Sequence, residues 1–308
     1  MFVAYCFYPP LCIAGPIMTF NAFAHHLLPG HLPAAVASPL QRPGGREVAR
    51  YAARFVAVVA CLEALTHGIH ANAAAVSRAW RGGGALGAAM SPPELGAVGY
   101  WTLLFMWLKF TAVWRFFRLW ALAAGVSPPE NMTRCVNNNY DADGFWRHWH
   151  ASFNRWLVRY MYVPLGGASW RALNVWPIFT FVALWHDPAA WRLLGWAWVS
   201  ALCLAPEMGA KRLARTRFFA ARAHTAAFRH ARAAAAALNI TALMAANLVG
   251  FVLGLDGVQH FLSQIFSLAD RGFAAAVLLS FFAAAHVMFE LREGEARAAA
   301  ADGGDKAS

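Results

Sequence analysis

The sequence predicts an all-α protein that crosses a membrane several times. Of its 308 residues 59% are hydrophobic, and the mean hydropathy is +0.42. That is too apolar for an ordinary soluble domain. The apolar residues gather into runs near the roughly 20 residues a helix needs to cross a bilayer. The Arg residues cluster in short segments between those runs, as basic residues do beside membrane spans.

Residues 2–20 are apolar but interrupted by Pro9, Pro10, Gly15 and Pro16, which predicts a broken or re-entrant helix packed against protein. Residues 27–50 read as a loop rich in Pro, Gly and Arg. Residues 51–76 can span, and they carry Glu63, His67 and His70 at i, i+4 and i+7. That face is either a polar stripe toward other helices or a ligand site. A Gly- and Pro-containing loop, 78–94, leads to a span over 95–114, with Lys109 near enough to its end to snorkel. Residues 115–122, with Arg115 and Arg118, continue along the interface. A polar loop fills 127–143. Its Asn131-Met132-Thr133 fits the glycosylation acceptor pattern if the loop is lumenal, and is a chance match otherwise.

Residues 144–188 carry the densest set of reactive side chains. Trp146, Trp149, His150, Phe153, Asn154 and Leu157 follow helical spacing and share one face of a predicted helix. Arg147, Arg155 and Arg159 fall on a neighbouring side. An imidazole and a carboxamide one turn apart on an apolar face need partners. Pro164, Gly166 and Gly167 end this helix. Residues 175–185 are uncharged until His186 and Asp187, and Pro188 biases Asp187 out of the helical region, so the next helix ends at this His-Asp pair.

Residues 191–206 form a second apolar segment. Residues 211–232 hold Lys211, Arg212, Arg215, Arg217, Arg222, Arg229 and Arg232, a cytosolic loop by the positive-inside rule. Residues 233–255 and 272–288 are further spans, for roughly six or seven membrane segments in all. The organisation expected is a transmembrane domain over 1–290 and a charged, disordered tail over 291–308. No internal repeat is evident.

The formal net charge of +11 would suit a nucleic-acid binder, but no zinc-finger, RNA-recognition or helix-turn-helix signature occurs. Lipid headgroups or a phosphate-bearing co-substrate fit better. The five Cys residues are scattered and form no disulfide framework or CxxC metal site. His148 and His150, two residues apart, do not share a helix face, so a zinc site with His186 is not expected. The N-terminus lacks a signal-peptide pattern and opens in mid-hydrophobic sequence, which suggests an absent upstream portion.

Several motifs together resemble one family. They are Tyr8-Pro9-Pro10 with Ala14-Gly15-Pro16, Pro128-Pro129-Glu130-Asn131-Met132, Phe145-Trp146-Arg147-His148-Trp149-His150, Arg159-Tyr160-Met161-Tyr162-Val163-Pro164-Leu165-Gly166-Gly167 and Trp185-His186-Asp187. In this order they resemble the membrane-bound O-acyltransferases, nearest the fungal glycerol-uptake branch related to Hedgehog acyltransferase. The resemblance implies a multi-helix bundle in the endoplasmic-reticulum membrane around a tunnel. Acyl-CoA would enter from the cytosol and a hydroxyl or amine acceptor from the other side. His186 matches the family's near-invariant histidine, and His150 its second polar position. For the fungal branch the implied reaction is reacylation of a lyso-glycosylphosphatidylinositol anchor. Family members carry more spans before the Tyr-Pro-Pro motif, so the domain is expected to be N-terminally shortened.

The residues suit that chemistry. Acyl transfer from a thioester needs a base for the acceptor's proton and stabilisation of the oxyanion. A neutral imidazole at His186, kept so by burial, is such a base. His150 and Asn154 can polarise the carbonyl or orient the acceptor, and Arg147, Arg155 and Arg159 can hold the CoA phosphates. The expected catalytic pair is therefore His186 and His150. The expected substrate-binding set is Trp146, Arg147, Asn154, Arg155, Arg159, Trp185 and Asp187. Acyl-CoA is a co-substrate; no bound cofactor, metal or nucleic acid is expected. Two other functions remain open, a glycerol-transporter-like protein and a non-catalytic membrane scaffold.

Overall fold

The computed structural model describes residues 1–27, 43–81, 90–187, 189, 191–267 and 271–304. Residues 28–42 and 82–89 of two expected loops, Pro188, and the last four residues of the expected tail lie outside this set. All regular structure among the described residues is helical. In chain order the α-helices are α1 (Phe2–Cys6), α2 (Pro9–Cys12), α3 (Phe20–Leu27), α4 (Gly45–Gly68), α5 (Ala71–Val76), α6 (Pro92–Ala123), α7 (Ala142–His148), α8 (Ala151–Leu157), α9 (Arg171–His186), α10 (Trp191–Ala214), α11 (Arg217–Ala220), α12 (Ala226–Leu248), α13 (Gly254–Ile265) and α14 (Arg271–Gly304). Single π-helical turns follow α8 (Val158–Tyr162) and α12 (Val249–Leu253). The chain divides into two compact units, Met1–Ala74 with Tyr100–Val136 and Trp146–Asn174, and Ala75–Gly99 with Asn137–Phe145 and Val175–Ser308.

In the first unit, the prolines break residues 2–20 as expected. Pro9 opens α2, where its missing N–H costs nothing. Tyr5 donates to the Met18 carbonyl at 2.7 Å, and Met18, Phe23, Ala121 and Val126 form a buried cluster. A Cβ on Gly15 would overlap the Pro10 carbonyl oxygen and its backbone neighbours. Gly15→Ala should therefore lower stability by about 1–3 kcal/mol, the range for forced overpacking. Gly45→Ala, with open space around it, should leave the melting temperature in detergent unchanged or raised. Equal melting temperatures for the two variants would refute this account.

Helix α6 differs from expectation. Rather than a span followed by an interfacial segment, it runs unbroken through Arg115 and Arg118, since no breaker lies between Trp114 and Ala123. It begins in a capping box, Glu94 accepting from both the backbone N–H and the hydroxyl of Ser91 at 2.7 Å. It ends in a Schellman turn: Gly125 takes φ +81°, Val126 N–H donates to Ala121 O, and Gly125 N–H to Leu122 O. Helix α4 stops at Gly68 with Ile69 extended, so the expected continuous span over 51–76 is interrupted. Glu63 and His67 pair within α4 at 3.4 Å, but His70 lies beyond its end and leaves the predicted stripe.

In the second unit, α12 and α14 approach through small residues. Ala233, Ala236 and Ala285 are buried with Phe289, and small side chains let helix backbones come close. Glu207 of α10 caps the start of α7, accepting from Ala142 N–H at 2.7 Å and Asp143 N–H at 3.4 Å. Lys211 sits among Glu207, Asp141 and Asp143 at 2.6, 2.9 and 3.5 Å. The basic stretch 211–232, expected as a loop, is partly helical: it holds the end of α10, all of α11 and the start of α12, whose Thr225 cap accepts from Phe228 N–H. Residues 291–304 of the expected tail are helical, as an extension of α14.

Among the described residues, four helical segments are long and apolar enough to cross a membrane: Pro92–Ala123, Leu193–Ala214, Ala226–Ile265 and Arg271–Ala301. The protein is an all-α, multi-pass membrane protein. The other expected segments do not meet that length and composition, for local reasons. The first segment is broken by proline and α4 carries several charged residues. At 16 residues, α9 is too short.

Candidate active site

The helix predicted over residues 144–157 is broken at His150. Helix α7 ends at His148 and α8 begins at Ala151, and between them His150 takes φ +45° and ψ +50°. This left-handed conformation is uncommon for a residue other than Gly. The shared face expected from helical phase therefore does not form. Trp146 and Asn154 meet instead across the break, the Asn154 Nδ2 donating to the Trp146 carbonyl at 2.7 Å.

The His150 imidazole lies almost flat on the Trp114 indole, with ring centroids 4.4 Å apart and an interplanar angle of 24°. Phe153 flanks it at 5.1 Å. Trp149 meets Trp114 and Phe110 edge-on at 6.1 and 5.9 Å. All these rings belong to the first unit. His148 contacts Thr133, its Nδ1 lying 2.6 Å from the Thr133 hydroxyl.

The Pro-Pro-Glu-Asn motif packs against this break. Asn131 is fully buried. Its carbonyl accepts from Ala151 N–H at 2.9 Å and its Oδ1 from Ser152 N–H at 3.1 Å. Glu130 accepts from Asn131 N–H at 3.0 Å and from the Tyr51 hydroxyl at 2.8 Å, while Arg118 donates to Pro128 O at 2.9 Å. Burial first, and then the Glu130 carboxylate, push the Tyr51 phenol above its ordinary range, which keeps it a donor. A buried, bonded carboxamide does not suit a glycosylation acceptor, so the Asn131-Met132-Thr133 match is a chance one.

Downstream, α8 passes into the π-turn, where Val163 N–H donates to Val158 O. The turn carries Arg159, whose guanidinium lies 5.8 Å from the Tyr160 ring centre. Gly166 and Gly167 follow at φ +94° and +56°. Arg147, Arg155 and Arg159 are all exposed.

In the second unit, His186 is the last residue of α9, as the sequence predicts. Its ring meets Trp185, Trp196 and Phe251 edge-on at 4.9, 5.7 and 5.6 Å. Among the described residues neither ring nitrogen is hydrogen-bonded, and the residue is exposed on its remaining side. Asp187 Oδ1 accepts from Ala189 N–H at 2.9 Å and so shapes the turn after the helix. Trp196, itself 1% exposed, is held by Gly250 of the second π-turn, where a Cβ would sit 2.5 Å from the indole Cγ. Gly250→Ala should therefore displace Trp196 and lower stability by about 1–3 kcal/mol. An unchanged melting temperature would show that Trp196 does not depend on this contact.

Neither unit's aromatic setting was legible in the sequence. Trp114 and Phe251 lie far from their histidines in the chain, and no periodicity links them. Asn131 left one signal, a polar residue closing a Pro-Pro-Glu run. Among the described residues, no three His, Cys, Asp or Glu side chains gather into a group able to hold a metal.

Comparison with known proteins decides the family: the model of the membrane-bound O-acyltransferase family matches residues 1–250. The chain belongs to the membrane-bound O-acyltransferases. It is similar to the membrane-bound O-acyltransferase GUP1 of Saccharomyces cerevisiae, 40% identical over 301 residues that make up 96% of this chain and 49% of that protein. It is 39% identical over 295 residues to gup1 of Schizosaccharomyces pombe, covering 96% of this chain and 47% of that protein. A shorter likeness, 31% over 142 residues, relates it to the protein-cysteine N-palmitoyltransferase HHAT of Mus musculus, with 41% of this chain and 27% of that one covered. The chain thus spans about half the length of its GUP1 relatives. For an O-acyltransferase-family chain, an imidazole at a helix end and a second one set by a helix break are the two features to explain.

Proposed function

We propose that the protein is an acyl-CoA-dependent O-acyltransferase acting on a lipid or lipid-anchored acceptor, with His186 as its general base. One observation supports this reading above the others. His186 ends an apolar helix in a bed of aromatic rings, and among the described residues its nitrogens are not hydrogen-bonded. A histidine serving only as a cap would spend a nitrogen on the helix end. Membership of the family narrows the chemistry to acyl transfer.

In the proposed reaction the acceptor hydroxyl attacks the thioester carbonyl as its proton passes to His186. The tetrahedral oxyanion then collapses, the C–S bond breaks, and the CoA thiolate recovers the proton from the imidazolium. A base of this kind contributes about 10²–10⁴-fold. The role assigned to His150 is to donate a hydrogen bond to the carbonyl oxygen, and the exposed Arg147, Arg155 and Arg159 are assigned to the CoA phosphates. Asn154 has one amide hydrogen committed to Trp146, so its share in substrate binding rests on its remaining atoms. Trp146, Trp185 and Asp187 are assigned to substrate binding. Within this class the acceptor proposed is a lyso-phosphatidylinositol or its anchor-linked form, at the endoplasmic-reticulum membrane, as the resemblance to the fungal branch implies.

The test is release of free CoA by purified protein given acyl-CoA and lyso-phosphatidylinositol, beside labelled-glycerol flux in vesicles holding the same protein. Acceptor-dependent CoA release without flux is the expected result. Flux without CoA release would replace this reading with transport, and neither would leave a scaffold. Because the relatives are about twice as long, the assay is run on this chain and on any longer form its reading frame encodes.

A further inference from the structure

The residue at the start of α8 is unusual for its position. An N-cap is ordinarily Ser, Thr, Asp or Asn, whose side chain takes a free amide of the first turn. His150 occupies the place, and its side chain makes no cap bond. The work is done from 20 residues upstream in the chain. Asn131 takes the Ala151 amide on its carbonyl and the Ser152 amide on Oδ1. Thr133 adds to the same edge, its N–H donating to the His148 carbonyl at 3.4 Å. Ser152 in turn accepts from Ile17 N–H at 2.8 Å through its hydroxyl.

These are the groups a continuous helix would use. In an unbroken helix Ala151 N–H would bond Arg147 O, and Ser152 N–H would bond His148 O. The apolar periodicity of residues 146–157 favours that helix. Asn131 and Thr133 occupy two of the amides and one of the carbonyls it would need. The chain turns left-handed at His150 instead, and the imidazole comes to rest on Trp114.

The geometry points to Asn131 as a positioning residue for acyl transfer: it caps α8 in place of His150, and thereby sets the conformation in which His150 meets the reaction. This rests on the proposed role of His150. Asn131 itself touches no reacting atom. Its Nδ2 has no hydrogen-bond partner among the described residues, so the two acceptor oxygens carry its function. Asn131→Asp keeps both acceptors, whether the carboxyl is ionised or protonated. Asn131→Ala keeps only the carbonyl.

The test uses the full chain in detergent micelles and reads structure and turnover separately. Carbon chemical shifts of isotopically labelled histidine, with the His150 signal assigned by its loss in His150→Asn, report whether residue 150 is left-handed or helical. Left-handed shifts are expected in the wild type and Asn131→Asp, and helical or averaged shifts in Asn131→Ala. Turnover of acyl-CoA should fall about tenfold or more in kcat for Asn131→Ala, with KM changed less than about twofold, and Asn131→Asp should restore most of it. In a His150→Ala background, Asn131→Ala should cost less than about twofold more, because the two residues act through one path. If Asn131→Ala does not fold, Asn131→Ser, whose shorter side chain cannot reach as far, takes its place. Left-handed shifts in Asn131→Ala would overturn the inference, as would additive losses in the double variant. A wild type without turnover would instead overturn the proposed function, and the shifts would still decide whether Asn131 sets the turn.

Discussion

His186→Ala is expected to reduce acyl-CoA turnover by about 10²–10⁴-fold, the contribution of a positioned general base. The loss should fall on kcat more than on KM, since the proton transfer occurs only on the way to the transition state. Folding should survive. His186 sits at the end of α9 with one side exposed, and no hydrogen bond among the described residues depends on its ring. The packing of Trp185, Trp196 and Phe251 against it would loosen, so detergent stability and membrane insertion are measured alongside. His186→Gln separates the two effects: it refills much of the volume but cannot take the proton. It should be as inactive as His186→Ala and more stable. Wild-type turnover in either variant would remove the base from the mechanism and leave the scaffold reading in its place.

Substitutions at His150 should fall into an order that reflects both chemistry and backbone. His150→Ala should lower kcat by about 10²-fold, as removal of one donor to a developing oxyanion does. His150→Asn should keep part of the activity, for two reasons. A carboxamide still donates a hydrogen bond, and Asn accepts positive φ more readily than other residues with a Cβ. His150→Val should be the least stable, by roughly 1–2 kcal/mol or more, because a β-branched residue opposes φ +45°. Turnover and melting temperature measured on the three variants check the order. Equal stability of the Asn and Val variants would mean that the left-handed turn is absent in solution. Equal activity of the Asn and Ala variants would mean that the hydrogen bond assigned to His150 is not made.

The sequence by itself determined what local chemistry controls. Composition and the length of the apolar runs decided the helical membrane class, because a chain in lipid must satisfy its backbone internally. An apolar run closed by His186, Asp187 and a proline placed one histidine at a helix end. The prolines near residue 10 broke the first segment as they had to. The number of spans was less legible. Apolar runs alone do not show where each helix stops, as α4 does at Gly68.

Only the tertiary structure decided the setting of His150. The apolar spacing of residues 146 to 157 favours one continuous helix, and the chain breaks it because a buried asparagine from a distant loop takes two of the amides that helix would use. The same holds for the aromatic rings. Trp114 under His150 and Phe251 beside His186 are brought in by elements far away in sequence, and Trp196 by the helix that follows. Helical periodicity is a rule about neighbours three and four residues apart. A competing hydrogen bond from a residue 20 positions away leaves no trace in that period, and it prevails here because buried amides must be bonded by whichever acceptor reaches them.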